Sequence, residues 1–480
     1  MHAPAPGCGG AGSARSFRFG VAGPSADGSQ GRWGPRGWLG CGERAPTPPA
    51  RAGRALGVEP DPACQAMASS PKIIVFDDDP TGSQTVRGCP LLLEFSTANL
   101  QAGLADPSPL LFLLTNSRAL EPEQVRQELT ALCRRLKPLL AQLTRPWLVV
   151  SRGDSTLRGH TPLELEVIRA ELGPFAANVL VPAFPQGGRT TRDGVHLLHG
   201  EPLHHSAFAR DQRFGYPSSD LPQWLQHKTA GATPADCVAR LKPADSFAEL
   251  ETGQWAVLDA STPNDLDVIG EQVLAELAKG RKHLCQSAAS LLNGLSEMPS
   301  VLLEPGEVPP IAAPGLVLVG SHVPLSDAQL SSLLQQPGCC GVEFSLDGTP
   351  ELGALTAQVQ RLLSAGLTPV LFSSRGERTG YSPARQRELA LQMAQVVMDL
   401  EPPLGYVIAK GGTTSLTFLQ QGLQLQQVRL LGQLLPGLSM VQPPLPHPRF
   451  GRLPVVTFPG NLGDQTTLSR CWQLLEAARR

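Results

Sequence analysis

Lys72-Ile73-Ile74-Val75-Phe76-Asp77-Asp78-Asp79-Pro80-Thr81-Gly82-Ser83-Gln84-Thr85 runs from a short apolar stretch into three carboxylates and then into a hydroxyl-rich turn containing one glycine. The apolar part reads as a β-strand, and the same texture recurs downstream. Strands are expected at 110–115, 146–151, 178–183 and 254–259, with a helix at 122–143 opened by Glu121-Pro122 and carrying Val125, Leu129, Leu132 and Leu136 at helical spacing. After a Pro- and Gly-rich stretch at 296–315, further strands are expected at 315–319, 369–373, 405–409 and 453–458, alternating with helices near 325–336, 351–365 and 383–400. Strand–helix alternation of this kind predicts an α/β protein of two domains, each a mainly parallel sheet flanked by helices.

The division follows from the same texture. Residues 1–68 are rich in Gly, Pro, Ala and Arg and contain no Lys, with seven Arg against four acids, and they show no helical or strand period. They read as a disordered or mis-annotated extension, with Met67 as the plainer start. Residues 69–296 form the first domain, 297–314 a linker and 315–480 the second domain.

Composition narrows the partners. Of the 480 residues, 41% are hydrophobic and 17% charged, and the formal net charge is −2, so no basic field gathers nucleic acid or an anionic membrane surface. The apolar runs stop after four to eight residues, too short for a membrane-spanning helix. The ten cysteines form no C-x-x-C, and the Cys339-Cys340 pair is vicinal, which suits reduced thiols and a cytoplasmic location.

In open α/β sheets ligands collect beyond the carboxyl ends of the strands. Asp77, Asp78 and Asp79 crowd such an end, where their repulsion is relieved by Mg²⁺ or by a donor-rich substrate; an Asp-rich turn capping a helix is the plain alternative. Asn116 and Arg118 follow the second expected strand, and Arg152, Asp154, Ser155, Thr156 and Arg158 follow the third. Each loop sets Arg among small donors, as carboxylate capture requires, while Asp154 also reads as a structural partner of Arg152 or Arg158. Arg189 lies in a loop with paired glycines.

The second half has three small-residue loops after strands: Gly320-Ser321-His322, Lys410-Gly411-Gly412-Thr413-Thr414-Ser415 and Gly460-Asn461-Leu462-Gly463. Three in one domain favour a nucleotide pocket, with Lys410 expected near the phosphates. The Lys precedes the glycines, so this is not a Walker loop, and no G-x-G-x-x-G with a following acid supports a dinucleotide oxidoreductase.

Together these segments resemble the four-carbon acid sugar kinase family over about 72–475. The family's D-D-x-T-G is matched by Asp78 to Gly82, and D-S-T-x-R-G by Asp154 to Gly159; the stretches 182–203 and 208–221 and the three glycine loops also look like the family's. Pro80 stands where Leu is usual, Asp77 is additional, and Pro459 and Leu462 depart from the common form of the last loop.

The resemblance implies a phosphotransferase with an alcohol group as acceptor, acting with ATP and Mg²⁺ on threonate, erythronate or 3-oxo-tetronate. A non-catalytic sugar-acid and nucleotide sensor of the same fold is the alternative. The expected assignments are Asp79 and Asp154 as catalytic, with Asp78 and Asp79 also holding the metal. Asp78, Thr81, Asn116, Arg118, Ser155, Arg158 and Arg189 are expected on the sugar acid, and Gly320, Ser321, Lys410, Gly411, Gly412, Thr413, Thr414, Gly460, Asn461 and Gly463 on ATP. A homodimer is left open.

Overall fold

A computed structural model describes residues 70–344, 351–375 and 383–479. The first half contributes β1 (Lys72–Asp77), β2 (Cys89–Leu92), β3 (Leu110–Leu114), β4 (Trp147–Arg152) and β5 (Asn178–Val181). A small hairpin group follows: β6 (Arg189–Arg192), β7 (Val195–Leu198) and β8 (Glu201–Pro202). β9 (Ala239–Leu241), β10 (Trp255–Leu258) and β11 (Leu284–Ser287) complete that half. The second half contributes β12 (Leu316–Val319), β13 (Cys339–Phe344), β14 (Thr368–Ser373), β15 (Val407–Lys410), β16 (Gln427–Leu435), β17 (Leu438–Gln442) and β18 (Val455–Phe458).

β1 lies between β3 and β4, in parallel with both, and all six of its residues are buried. Burial on both faces is why these strands read as unbroken apolar runs. The helix Pro122–Ala141 starts with Pro at its first turn and a reciprocal Glu121/Gln124 capping box. It turns Val125, Leu129, Leu132 and Leu136 onto the sheet, as their spacing requires.

The expected α/β class holds, with a parallel core in each half. Beyond expectation, the two cores are, among the described residues, one sheet of 15 strands in the order β13-β14-β12-β15-β18-β17-β16-β2-β3-β1-β4-β11-β5-β10-β9. The seam is the antiparallel pairing of β16 with β2, Gln427 opposite Leu92 and Leu430 opposite Cys89. Arg429 fastens it, donating to Asp106 and to the Gly88 carbonyl.

Three antiparallel steps in succession, β18–β17, β17–β16 and β16–β2, reverse the strand direction between the halves. A flat sheet of this topology would send the two carboxyl edges to opposite sides. Strand twist of about 20–25° per step turns them partly toward each other. The hairpin β16–β17 adds register shifts at Leu430/Gly432 and Gln433/Leu435, with Gly432 at φ 146, and bulges of this kind bend and coil a ribbon further.

Candidate active site

β1 delivers the aspartate turn to the cleft. Arg118 grips Asp78 with a fork, Nε to Oδ2 at 2.9 Å and Nη2 to Oδ1 at 2.5 Å, and reaches Asp79 Oδ2 at 3.3 Å. Arg152, at the end of β4, adds 3.2 Å contacts to Asp77 and Asp78. Asp78 is buried behind this fork and does not line the cleft, so the expected metal and substrate contacts of Asp78 are not met. Asp79 does line it, with its side chain 25% exposed and its Oδ1 accepting from both the amide and the hydroxyl of Thr81. Burial works against ionisation of Asp79, but Arg118, Thr81 and Arg152 outweigh it and hold the carboxyl below its ordinary range. Asp77, fully buried, is pushed up to about 7 by burial, with Arg152 opposing.

The loop after β4 supplies the opposite wall. Asp154 Oδ1 accepts from the Thr156 amide at 3.1 Å, and Oδ2 from Arg158 Nε at 2.7 Å and from the Thr156 hydroxyl. Burial disfavours its charge, yet Arg118, Arg158 and Thr156 place its carboxyl far below the usual range. The expected structural pairing is therefore with Arg158, while Arg152 turns to the β1 acids. The carbonyls of Ser155 and Thr156 are held from behind by His196 at 2.8 Å and by the Tyr216 hydroxyl at 2.7 Å. Leu157 at φ 63 and Gly159 at φ 130 make the bend that turns Arg158 back over Asp154.

Arg158 also lies 5.1 Å from the Phe208 ring and 3.8 Å from Asp211. Arg189 differs from these paired arginines: among the described residues it makes no ion pair, and its buried Nε has no hydrogen-bond partner in the protein. Thr81, Arg118, Ser155, Arg158 and Arg189 all line the cleft with Asp79 and Asp154. Asn116 does not. It sits in a left-handed turn at φ 50, its amide bonded to the Asp77 carbonyl, which takes its side chain out of the lining.

The second half closes the cleft. A Cβ at Gly412 would stand 3.7 Å from both carboxylate oxygens of Asp79, and Gly460 and Asn461 line the same space. The three glycine loops touch one another: a Cβ at Gly320 would overlap Thr414 Oγ1, one at Gly411 would come 3.3 Å from Ser321, and one at Gly460 2.9 Å from the Ser321 hydroxyl. Gly411, at φ 116, has the conformation that only glycine adopts readily. Thr413 is half-buried at this turn; Gly463 packs on Thr467, outside the lining.

Lys410 corrects the reading of that loop. Its side chain is buried, and its Nζ donates to the carbonyls of Pro459 at 2.7 Å and Gly460 at 2.8 Å above the Phe458 ring. Burial pulls its pKa down to about 7. Lys410 thus fixes the last glycine loop instead of offering charge to the cleft. Among the described residues, no three His, Cys, Asp or Glu side chains converge as a metal cage.

Phe184, Phe208, Gln84 and Arg152 also line the cleft and were not assigned from sequence. Arg152 as the last residue of a buried strand, and the two Phe within arginine-bearing loops, were the available signals. A further buried acid, Glu164, accepts from Ser117 at 2.5 Å and Ser151 at 2.9 Å; burial first, then Asp78, push it up to about 7. Between its ordinary 4.5 and about 7, the folded protein keeps a proton that the unfolded chain has released, so this group's contribution to stability falls as pH rises through that window. Glu164→Gln is expected to gain thermal stability relative to wild type as pH rises from about 5 to about 8; melting curves that stay parallel across that range contradict this.

Residues 73–295 match the family model of a sugar-binding N-terminal domain, and residues 316–468 that of a nucleotide-binding C-terminal domain. The chain belongs to the four-carbon acid sugar kinase family. A D-threonate kinase of Bordetella bronchiseptica is 28% identical over 429 residues, 85% of this chain and 98% of the relative. A D-erythronate kinase of Heliobacterium modesticaldum is 29% identical over 210 residues, 41% of this chain and 47% of the relative. Two solved structures share the fold: a Salmonella typhimurium LT2 protein (TM-score 0.60, 16% identity, 86% of this chain and 99% of that one) and a Haemophilus influenzae protein (0.57, 15%, 84% and 99%). The expected enzyme class, a phosphotransferase acting on an alcohol group, is that of this acid sugar kinase family. No described helix is long and apolar enough to cross a membrane.

Proposed function

We propose that this protein transfers the γ-phosphate of ATP to a hydroxyl of a four-carbon sugar acid of the threonate, erythronate or 3-oxo-tetronate type. The observation that carries the reading is the approach of Gly412 to Asp79, which joins an acid- and arginine-lined wall to a glycine-lined one in a single cleft. In this reading residues 69–296 hold the sugar acid, 315–480 hold ATP, and 297–314 connect them.

Arg189, with uncommitted donors, takes the substrate carboxylate together with the outer face of Arg158. Asp154, Ser155 and Thr81 receive the sugar hydroxyls. Asp154 is too acidic and too fully bonded to be a strong base, so it aligns a hydroxyl; phosphoryl transfer needs chiefly alignment and neutralisation of charge. The backbone of Gly411 to Thr414 and Gly460 to Asn461 cradles the phosphates, and the absence of side chains at Gly411 and Gly412 permits that approach.

Mg²⁺ fits a single protein carboxylate, because this ion keeps water and takes its remaining ligands from substrate phosphates. Asp79 is the residue that would hold it; when bound it would neutralise charge on the β- and γ-phosphates. The cytoplasm is the proposed compartment, a reading supported by the seven cysteines among the described residues, all free thiols.

A coupled ADP-release screen over four-carbon and related sugar acids, run beside thermal-shift assays, tests this. ADP release that depends on one acid is expected. Thermal stabilisation by an acid and by ATP with no ADP from any acid would replace the kinase by a binding protein.

A further inference from the structure

Glu164 is a buried acid that the proposed mechanism leaves unused. It stands in the first turn of the helix Leu163–Leu172 and is 5% exposed. An acid there suits the positive end of a helix, but Glu166, exposed in the same turn, already meets that need. Glu164 turns inward instead, and its carboxyl bonds two buried serine hydroxyls: Ser117 Oγ donates to Oε1 at 2.5 Å and Ser151 Oγ to Oε2 at 2.9 Å. Burying a carboxyl carries a desolvation cost that an apolar side chain in this place would avoid, so the bridge calls for a reason beyond stability.

The two serines differ in how firmly they are held. Ser151 belongs to β4, whose backbone is paired on both sides, Ser151 opposite Phe76 of β1 and Gln286 of β11. Its side chain shares the face of Val149, which packs on Leu165 and Ile168 of the same helix, while Arg152, next in the strand, points to the other face. Ser117 lies outside the sheet, at the start of the single 3-10 turn Ser117–Ala119 that follows β3. The next residue is Arg118, which forks Asp78 at 2.9 and 2.5 Å and reaches Asp79 at 3.3 Å. Asp79 is the carboxylate that Gly412 approaches. Contacts therefore run without a break from the middle of the sheet, through Glu164 and Ser117, to the place where the two halves meet.

We infer that Glu164 is a positioning residue: its carboxyl ties the turn that carries Arg118 to β4, and so fixes the fork that holds Asp78 and Asp79 at the cleft. It does not line the cleft itself. Other bonds steady the backbone of this turn, the Arg118 amide donating to the Asp78 carbonyl at 3.3 Å and the His160 ring meeting the Leu120 carbonyl at 3.0 Å. Glu164 holds the side chain that immediately precedes the arginine. Glutamine keeps both bonds within reach, because a serine hydroxyl donates to its oxygen and accepts from its nitrogen. Alanine keeps neither.

The test has two arms, and only the second rests on the proposed function. A crystal structure of Glu164→Ala is expected to show the 117–119 turn displaced and the Arg118 fork on Asp78 opened beyond about 3.5 Å. A fork that keeps its wild-type distances overturns the positioning role whatever the enzyme does. In the second arm, Glu164→Ala is expected to lower turnover about five- to tenfold with KM for ATP within about twofold, because a small misplacement of Asp79 disturbs alignment and leaves the glycine loops alone. Glu164→Gln is expected to restore turnover to within about twofold of wild type. Ser117→Ala should lose less than Glu164→Ala, and the double variant no more than Glu164→Ala alone, since both cut one connection. Losses that multiply, no restoration by glutamine, or an equal rise in KM for ATP overturns the link from Glu164 through Ser117 to the reaction. Should Glu164→Ala fail to fold, Ser117→Ala, which severs the same link by removing one hydroxyl, is read in both arms in its place.

Discussion

Asp154→Asn lowers turnover by about a hundredfold or more and leaves ATP binding within a factor of about two. The carboxylate is the shared acceptor for Arg158 Nε and two Thr156 donors, and it faces the cleft beside Ser155. An amide of the same shape loses the charge that holds Arg158 and offers an N–H where a sugar hydroxyl must donate. Both defects fall on the acid wall, whereas Gly412 and Gly460 belong to the other half and their backbone is untouched. Turnover within about threefold of wild type would remove Asp154 from the alignment role; an equal loss of ATP binding would show a general collapse of the cleft.

Arg158→Lys comes next in expected effect, raising KM for the sugar acid by about ten- to a hundredfold with a smaller change in turnover. The guanidinium does two things from fixed positions: Nε bonds Asp154 at 2.7 Å and Thr156 Oγ1 at 3.0 Å, while the remaining nitrogens stay at the cleft above Phe208. One ammonium bonds the aspartate or the substrate carboxylate but lacks the planar fork for both. An unchanged KM for the acid would reassign carboxylate capture to Arg189 alone.

How much of this was legible in the sequence depended on how locally each feature is determined. β1 and its aspartate turn were readable because a strand buried on both faces must be apolar throughout and must end where charge begins. β11 was not, since Leu284-Cys285-Gln286-Ser287 is only half apolar and takes its place from pairing with β4 and β5. The seam was equally hidden: β2 contains Pro90, β16 is interrupted by Gly432, and their pairing spans more than 300 residues of chain.

Asp79, Asp154, Arg158 and Arg189 line the cleft, where the rule that ligands gather at strand ends led them to be expected. The rule does not say which way a side chain turns. Asp78 turns into the Arg118 fork, Asn116 is diverted by a left-handed turn, and Lys410 folds beneath the loop that it was expected to accompany. Each outcome is set by a partner distant in sequence, which no local pattern encodes. Arg152 was read as a carboxylate-capturing loop residue or a partner of Asp154, and its actual partners, Asp77 and Asp78, lie some seventy residues earlier in the chain.

A crystal structure with a non-hydrolysable ATP analogue and the sugar acid found by the screen tests the shared cleft most directly. The terminal phosphate should rest against Gly412, with an acid hydroxyl beside Asp79 or Asp154 at about 3–3.5 Å from the phosphorus. A nucleotide bound away from the 411–414 and 460–461 loops, or an acid whose hydroxyls all lie beyond reach of the phosphate, would contradict the assignment.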